Sequence, residues 1–305
     1  MKDVFLVILP LFLIIFGAAI LQKTKLNTDN WIEVLNSFAL NIGFPTLIFS
    51  ALSKLQVNFT EQINIIIANS LFLIGSFILV LLLQKIFKFK KALFLTLLLC
   101  VPFGNVAYLG IPVLTQVWGT QILPSASLIA GVYLFWMFTL FISYLEYANK
   151  VKESGLNIIK NLFTNPLLLA VLFGLIFANL RIPIPAPIDT TISMIAASVT
   201  PIVLIVIGLF IGKTKTGKLK EWTGVLFFTL VTLLLLPAAF YFFVRLFHFN
   251  IETFAPSIID SAMPLAITPF ALAKKYKLDE NFIARSIVLS TILSIITLPF
   301  WLTIM

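Results

Sequence analysis

Along this chain, apolar residues come in runs of about twenty, and polar residues collect in short clusters between them. A membrane-spanning helix needs roughly 20 apolar residues. Ten segments meet that pattern: 4–21, 31–53, 63–84, 92–112, 123–145, 165–181, 188–211, 223–246, 256–273 and 283–304. Two of the ten are interrupted. The fourth contains Gly104, Asn105, Gly110 and Pro112, and the ninth contains Pro264 and Pro269. A proline inside a helix has no amide hydrogen to donate, and its ring clashes with the carbonyl four residues back. Unpaired backbone is costly in hydrocarbon and survives only where protein buries it or it lines a cavity. The pattern therefore predicts two broken helices whose breaks bind something. Pro112, Pro264 and Pro269 are expected to leave the carbonyls of Tyr108, Asp260 and Leu265 without their usual partners.

Composition agrees with that pattern. The chain is 60% hydrophobic and 11% charged, whereas soluble domains are about 25% charged. The expectation is an all-α integral membrane protein whose surface partner is the lipid bilayer. The net charge of +9 would point to nucleic acid in a soluble protein, but here the basic residues sit in the clusters between spans, so no nucleic-acid partner is expected. Ten spans place seventeen of the 21 Lys and Arg residues on one side. The positive-inside rule makes that side cytoplasmic and puts both termini outside. The expected location is a bacterial inner (plasma) membrane. The single cysteine, Cys100, allows no intrachain disulfide.

Three proline pairs recur in order at nearly one offset. Pro10 and Pro166 are 156 residues apart, as are Pro45 and Pro201, while Pro112 and Pro269 are 157 apart. This predicts two five-helix halves, residues 1–150 and 156–305, and makes 4–21 a mature span rather than a signal peptide. Because five is odd, the second half would enter the membrane inverted, the plan of many secondary transporters in which broken helices meet near the midplane. Each break would then present a half-helix N-terminus, with free amides and partial positive charge, to an anionic substrate.

The same residues resemble the auxin efflux carrier family, which includes the plant PIN carriers and bacterial malonate or malate permeases. Gly104-Asn105-Val106-Ala107-Tyr108-Leu109-Gly110-Ile111-Pro112 is similar to that family's helix 4 signature. Met263-Pro264-Leu265-Ala266-Ile267-Thr268-Pro269-Phe270 is similar to its helix 9 signature. Asn165-Pro166 and Phe44-Pro45 also fit. Many bacterial members carry Asn where this chain has Thr268, and the long cytoplasmic loop of many PIN carriers is missing. The resemblance implies a PIN-like, bile-acid-symporter-like fold. Helices 1, 2, 6 and 7 would form a scaffold, and helices 3–5 and 8–10 an elevator-type transport domain with substrate at the helix 4–9 crossing. It also implies a homodimer through the scaffold, to which Gly208 and Gly212 lend small-residue support.

The expected substrate-binding residues are Asn105, Gly104, Tyr108, Gly110, Pro112, Pro264, Thr268, Pro269 and Asn41. An amide such as that of Asn105 both donates and accepts and is costly to bury unpaired. The plain alternative is a helix-to-helix hydrogen bond. Asp260 is the acid well inside a span, and with Ser261 it is the candidate coupling site; the alternative is a solvated cap about a turn from the outer end. Ser261 and Thr268 are also of the type that bonds back to its own helix. Gly212–Lys218 matches most of a phosphate-binding loop, but Leu219 stands where Ser or Thr is needed. No arrangement suggests catalysis, a metal or a cofactor. The expected function is alternating-access transport of a small organic anion such as a dicarboxylate or auxin-like acid. The alternatives are a sodium-coupled organic-anion symporter and a non-transporting membrane receptor for a small acid.

Overall fold

A computed structural model describes residues 2–24, 30–55, 59–150, 163–215 and 217–305. The described residues are helical, with no sheet. Seven helices are long and apolar enough to cross a membrane: α1 (Lys2–Leu21), α2 (Trp31–Ser53), α3 (Phe59–Phe87), α5 (Thr120–Asn149), α7 (Ala186–Lys213), α8 (Trp222–Leu246) and α10 (Glu280–Ile304). The remaining three apolar segments are carried by shorter helices. One is α6 (Pro166–Leu180). The other two are broken as expected, into α4a (Lys91–Cys100) and α4b (Val106–Trp118), and into α9a (Ile251–Ser261) and α9b (Thr268–Tyr276). The broken elements are longer than their apolar runs, because both continue through polar residues beyond Pro112 and before Pro256.

Side-chain caps set several starts. The Asn165 Oδ1 accepts from the amides of Leu167 (2.9 Å) and Leu168 (3.2 Å), with Pro166 in the first turn of α6. Asn250 and Asp279 cap α9a and α10 in the same way. Such caps are worth about 1 kcal/mol each. The proline pairs at one offset are locally unlike, however. Pro10 lies inside α1 whereas Pro166 opens α6, but Pro269 falls in the first turn of α9b and Pro112 in the first α-helical turn after the π turn that opens α4b.

Two buried clusters organise the packing. The first is built mainly from α1, α2, α4b and α7, with residues of α6, α8, α9a and α10. The second joins α3, α4a, α5, α9b and α10. The most extensive contact is α1 on α7, followed by α6 on the second half of α2. In that first seam Gly208 and Gly212 allow the close approach. A Cβ on Gly208 would lie 2.1 Å from the Ile15 carbonyl, and one on Gly212 would lie 2.4 Å from that of Ala19. This small-residue pair is thus occupied by α1 of the same chain, so it lends no support to a dimer. The outer surface is apolar, with Ile20, Phe87, Met194, Phe242 and Ile296 well exposed, as suits a surface solvated by lipid.

Candidate functional site

Between α4a and α4b the chain is non-helical through Phe103–Asn105, and between α9a and α9b it is non-helical around Pro264–Ala266. These two stretches pair with each other. Gly104 and Leu265 form an antiparallel bridge. The Asn105 amide donates to the Pro264 carbonyl at 2.7 Å, and the Ala266 amide to the Phe103 carbonyl at 3.2 Å. The Leu265 amide donates to the Ser290 Oγ of α10 at 3.0 Å. Backbone left over by each break is thereby satisfied by the other, the arrangement that buried peptide groups require.

Of the expected orphan carbonyls, that of Asp260 needs correction, because it is paired. Pro112 and Pro269 stand in the first turn of regular helix rather than in its interior, so Leu265 lies ahead of α9b, and a π turn over Val106–Gly110 precedes Pro112. The Asp260 carbonyl accepts from the Met263 amide at 3.2 Å.

Asn105 is the pivot of the first break and is 4% exposed. Its Oδ1 caps α4b by accepting from the Tyr108 amide at 3.2 Å. Its main-chain carbonyl accepts from Leu109 (3.1 Å) and Gly110 (2.9 Å). The Nδ2 makes no hydrogen bond among the described residues. Neither do the amides of Ala107 and Thr268, at the starts of α4b and α9b.

Gly104 and Gly110 let α9 come close. A Cβ on Gly104 would lie 3.0 Å from the Asp260 carbonyl, and one on Gly110 2.3 Å from the Asp260 Oδ1. Asp260 itself is 0% exposed, and neither carboxylate oxygen has a hydrogen-bond partner among the described residues. The solvated-cap alternative fails because α9a begins at Ile251. At 1.5 Å per residue, Asp260 lies about 13 Å along that helix. Ser261 bonds back to the Ile258 carbonyl at 2.6 Å. Pro264 and Pro269 are buried and Thr268 is exposed.

Asn41 stands apart from this junction. It lies in a π turn of α2, Ala39–Gly43, is exposed, and donates to the Ser37 carbonyl of its own helix at 2.9 Å. Tyr108 instead reaches across to α2, where its hydroxyl donates to the Asn36 Oδ1 at 2.5 Å and its ring lies 5.1 Å from that of Phe44.

Asn36 lines a cavity of about 570 Å³ between α2 and α7 on one side and α9b and α10 on the other. Its wall includes Glu33, Lys213, Phe270, Glu280 and Asn281, and Ile267, next to the start of α9b. Its volume is in the range of small-molecule sites. Ile267 on one wall and the Asn36–Tyr108 hydrogen bond on another connect it to both broken elements. A larger cavity of about 670 Å³ between α1, α2 and α7 has nearly all-apolar walls. Sequence reasoning missed Asn36, Glu33, Lys213, Glu280 and Asn281. Most stand at helix ends, where charges look like ordinary boundary residues. Asn36 had a signal, since it is as polar as Asn41 and also lies within the apolar run 31–53.

A family model described as membrane transport protein matches residues 3–302 of the chain. An uncharacterised transporter of Methanocaldococcus jannaschii is 25% identical over 309 residues, covering 98% of this chain and 97% of the relative. An uncharacterised transporter of Methanothermobacter thermautotrophicus is 24% identical over 277 residues, covering 88% and 87%.

Proposed function

The chain belongs to the membrane transport protein family, that of the auxin efflux carriers, and from that premise we propose that it carries a small organic anion, a mono- or dicarboxylate, by alternating access. The observation that carries this reading is the paired break. Asn105 keeps an unused Nδ2 donor, and the uncommitted amides of Ala107 and Thr268 open two half-helices beside it. Helix N-termini with free N–H groups favour anions, and a cavity reaches this junction by way of Ile267 and Asn36.

In this reading all ten apolar segments cross the membrane as two inverted five-helix halves, with both termini outside a plasma membrane. Helices α1, α2, α6 and α7 form the scaffold, consistent with their mutual packing. The other six move against it as an elevator. The 570 Å³ cavity separates the proposed scaffold helices α2 and α7 from the moving helices α9b and α10. Its polar rim, with Lys213 and Lys215, belongs to the lysine-rich side, so the cavity is the cytoplasmic vestibule of an inward-open state. Those two lysines raise the local concentration of anions, while Glu33 and Glu280 limit how much negative charge is welcome.

A thermal-shift screen of purified protein against mono- and dicarboxylates, followed by counterflow of the hits in proteoliposomes, tests this reading. One class of acids is expected to raise the Tm and to exchange across the membrane. Stabilisation without exchange would instead make the protein a receptor, and neither effect with any acid would remove the anion reading.

A further inference from the structure

Most buried polar side chains on the described helices bond to their own backbone or to a neighbour. Asp260 does not. Both of its oxygens are buried and without a donor, and no ion pair reaches it among the described residues. An ionised carboxylate in such a place costs several kcal/mol even after relaxation. Two further oxygens nearby lack partners. The Tyr133 hydroxyl, on α5, is 2% exposed and unpaired. The Asn69 Oδ1, on α3, is buried and unpaired, while its Nδ2 donates at 2.8 Å to the Ser257 Oγ one turn before Asp260. Helices α3, α5 and α9a pack against one another, so these oxygens share one interior. A carboxylate brings the Asn69 Oδ1 no donor, whereas a carboxylic acid brings one.

We propose that Asp260, packed against Gly110, is a proton-binding site: its carboxyl takes up a proton on one side of the membrane as the anion binds and releases it on the other side as the anion leaves, so that one proton travels with each substrate anion. The proposal rests on the transport reading above. The step is a simple exchange, in which an O–H bond forms at a carboxylate oxygen with a proton from bulk water and breaks again on the other side.

The sign of the coupling follows from charge. Asp260 touches Gly110, three residues from the Ala107 amide where the anion is proposed to bind. Two negative charges there disfavour each other, so protonation strengthens anion binding and the anion strengthens protonation by the same factor. Other ionisable groups do not compensate. Tyr108 on α4b is engaged with Asn36. The charged groups of α3, α5, α8 and α10 stand toward helix ends, namely Lys85, Glu146, which accepts from the Tyr276 hydroxyl, Arg245, Glu280, and Arg285 with its partner Glu221.

The test compares the parent protein with Asp260→Asn, with Asp260→Ser as the second variant if the first does not yield monodisperse protein. In nanodiscs at neutral pH, infrared spectroscopy should show a protonated-carboxyl stretch that the variant loses. In proteoliposomes carrying a luminal pH dye, a malonate gradient should acidify the lumen with the parent protein and not with the variant. Absence of the carboxyl stretch would overturn the proposal. So would equal proton movement by the variant, or uptake that stops when choline replaces sodium. If neither protein moves malonate, transport of that acid fails, and the infrared band alone decides the proton site.

Discussion

The α1–α7 seam and the α4–α9 junction both bring backbones together at paired glycines. In the seam, Gly208 and Gly212 press on the carbonyls of Ile15 and Ala19, beside the Cβ atoms of Ala18 and Gln22. The contact is mostly apolar, and of the side chains named only Gln22 has a buried atom without a partner, its Oε1 at the end of α1. At the junction, Gly104 and Gly110 press on Asp260, and unused polar groups surround the contact: the Asp260 carboxyl, the Asn105 Nδ2 and the amides of Ala107 and Thr268. Close approach alone therefore marks packing. Close approach that also leaves a buried carboxyl without a donor, next to uncommitted helix-start amides, marks a site, because such a group is otherwise selected against by its desolvation cost.

Substitutions that add one methyl group should separate the two. Gly208→Ala has the larger effect on the fold, since its Cβ would meet backbone at 2.1 Å and helices must move apart. Overpacking of this kind costs roughly 1–3 kcal/mol, visible as a lower Tm and less monodisperse protein. A Tm equal to the parent's would mean that the seam is looser than described. Gly110→Ala meets the end of a side chain instead, the Asp260 Oδ1, which can rotate away. Its Tm should fall by less than that of Gly208→Ala while carboxylate counterflow is lost, and preserved counterflow would detach Gly110 from the site. Ser290→Ala removes the acceptor of the Leu265 amide. Leaving a buried donor unpaired costs about 1–3 kcal/mol, so the Tm should drop and the α9 break should exchange amide hydrogen faster. Tyr108→Phe is the mildest. It loses one hydrogen bond, to Asn36, worth about 1 kcal/mol, and should raise the counterflow KM a few-fold with little change in Tm.

Much of the junction was legible before any coordinates. Gly, Asn, Gly and Pro within ten apolar residues cannot form one regular lipid-embedded helix, and the breaks fall where that conflict occurs. Asn105 was legible for the same reason, as a residue that is expensive to bury without a partner. The pairing of Phe103–Asn105 with Pro264–Ala266 was not, since a two-residue bridge between segments 160 positions apart leaves no periodic trace. Nor was the depth of Asp260. Its half-helix starts in the polar stretch Ile251-Glu252-Thr253, which hydropathy discards, so the acid looked closer to the boundary than it is. Asn41 shows the converse error, in which nearness to Pro45 suggested a cavity position that a back-bond to Ser37 accounts for. The Gly208–Gly212 spacing identified a close helix contact without saying whether its partner was α1 or another copy.

The central claim is that the junction, and Asn105 within it, holds the transported anion. It is tested most directly by counterflow of radiolabelled carboxylates in proteoliposomes containing equal amounts of folded parent protein or Asn105→Ala. Losing the cap of α4b should cost about 1 kcal/mol of stability, leaving the variant folded, and counterflow should be abolished. Counterflow by folded Asn105→Ala at the parent rate would place the anion elsewhere and contradict the account.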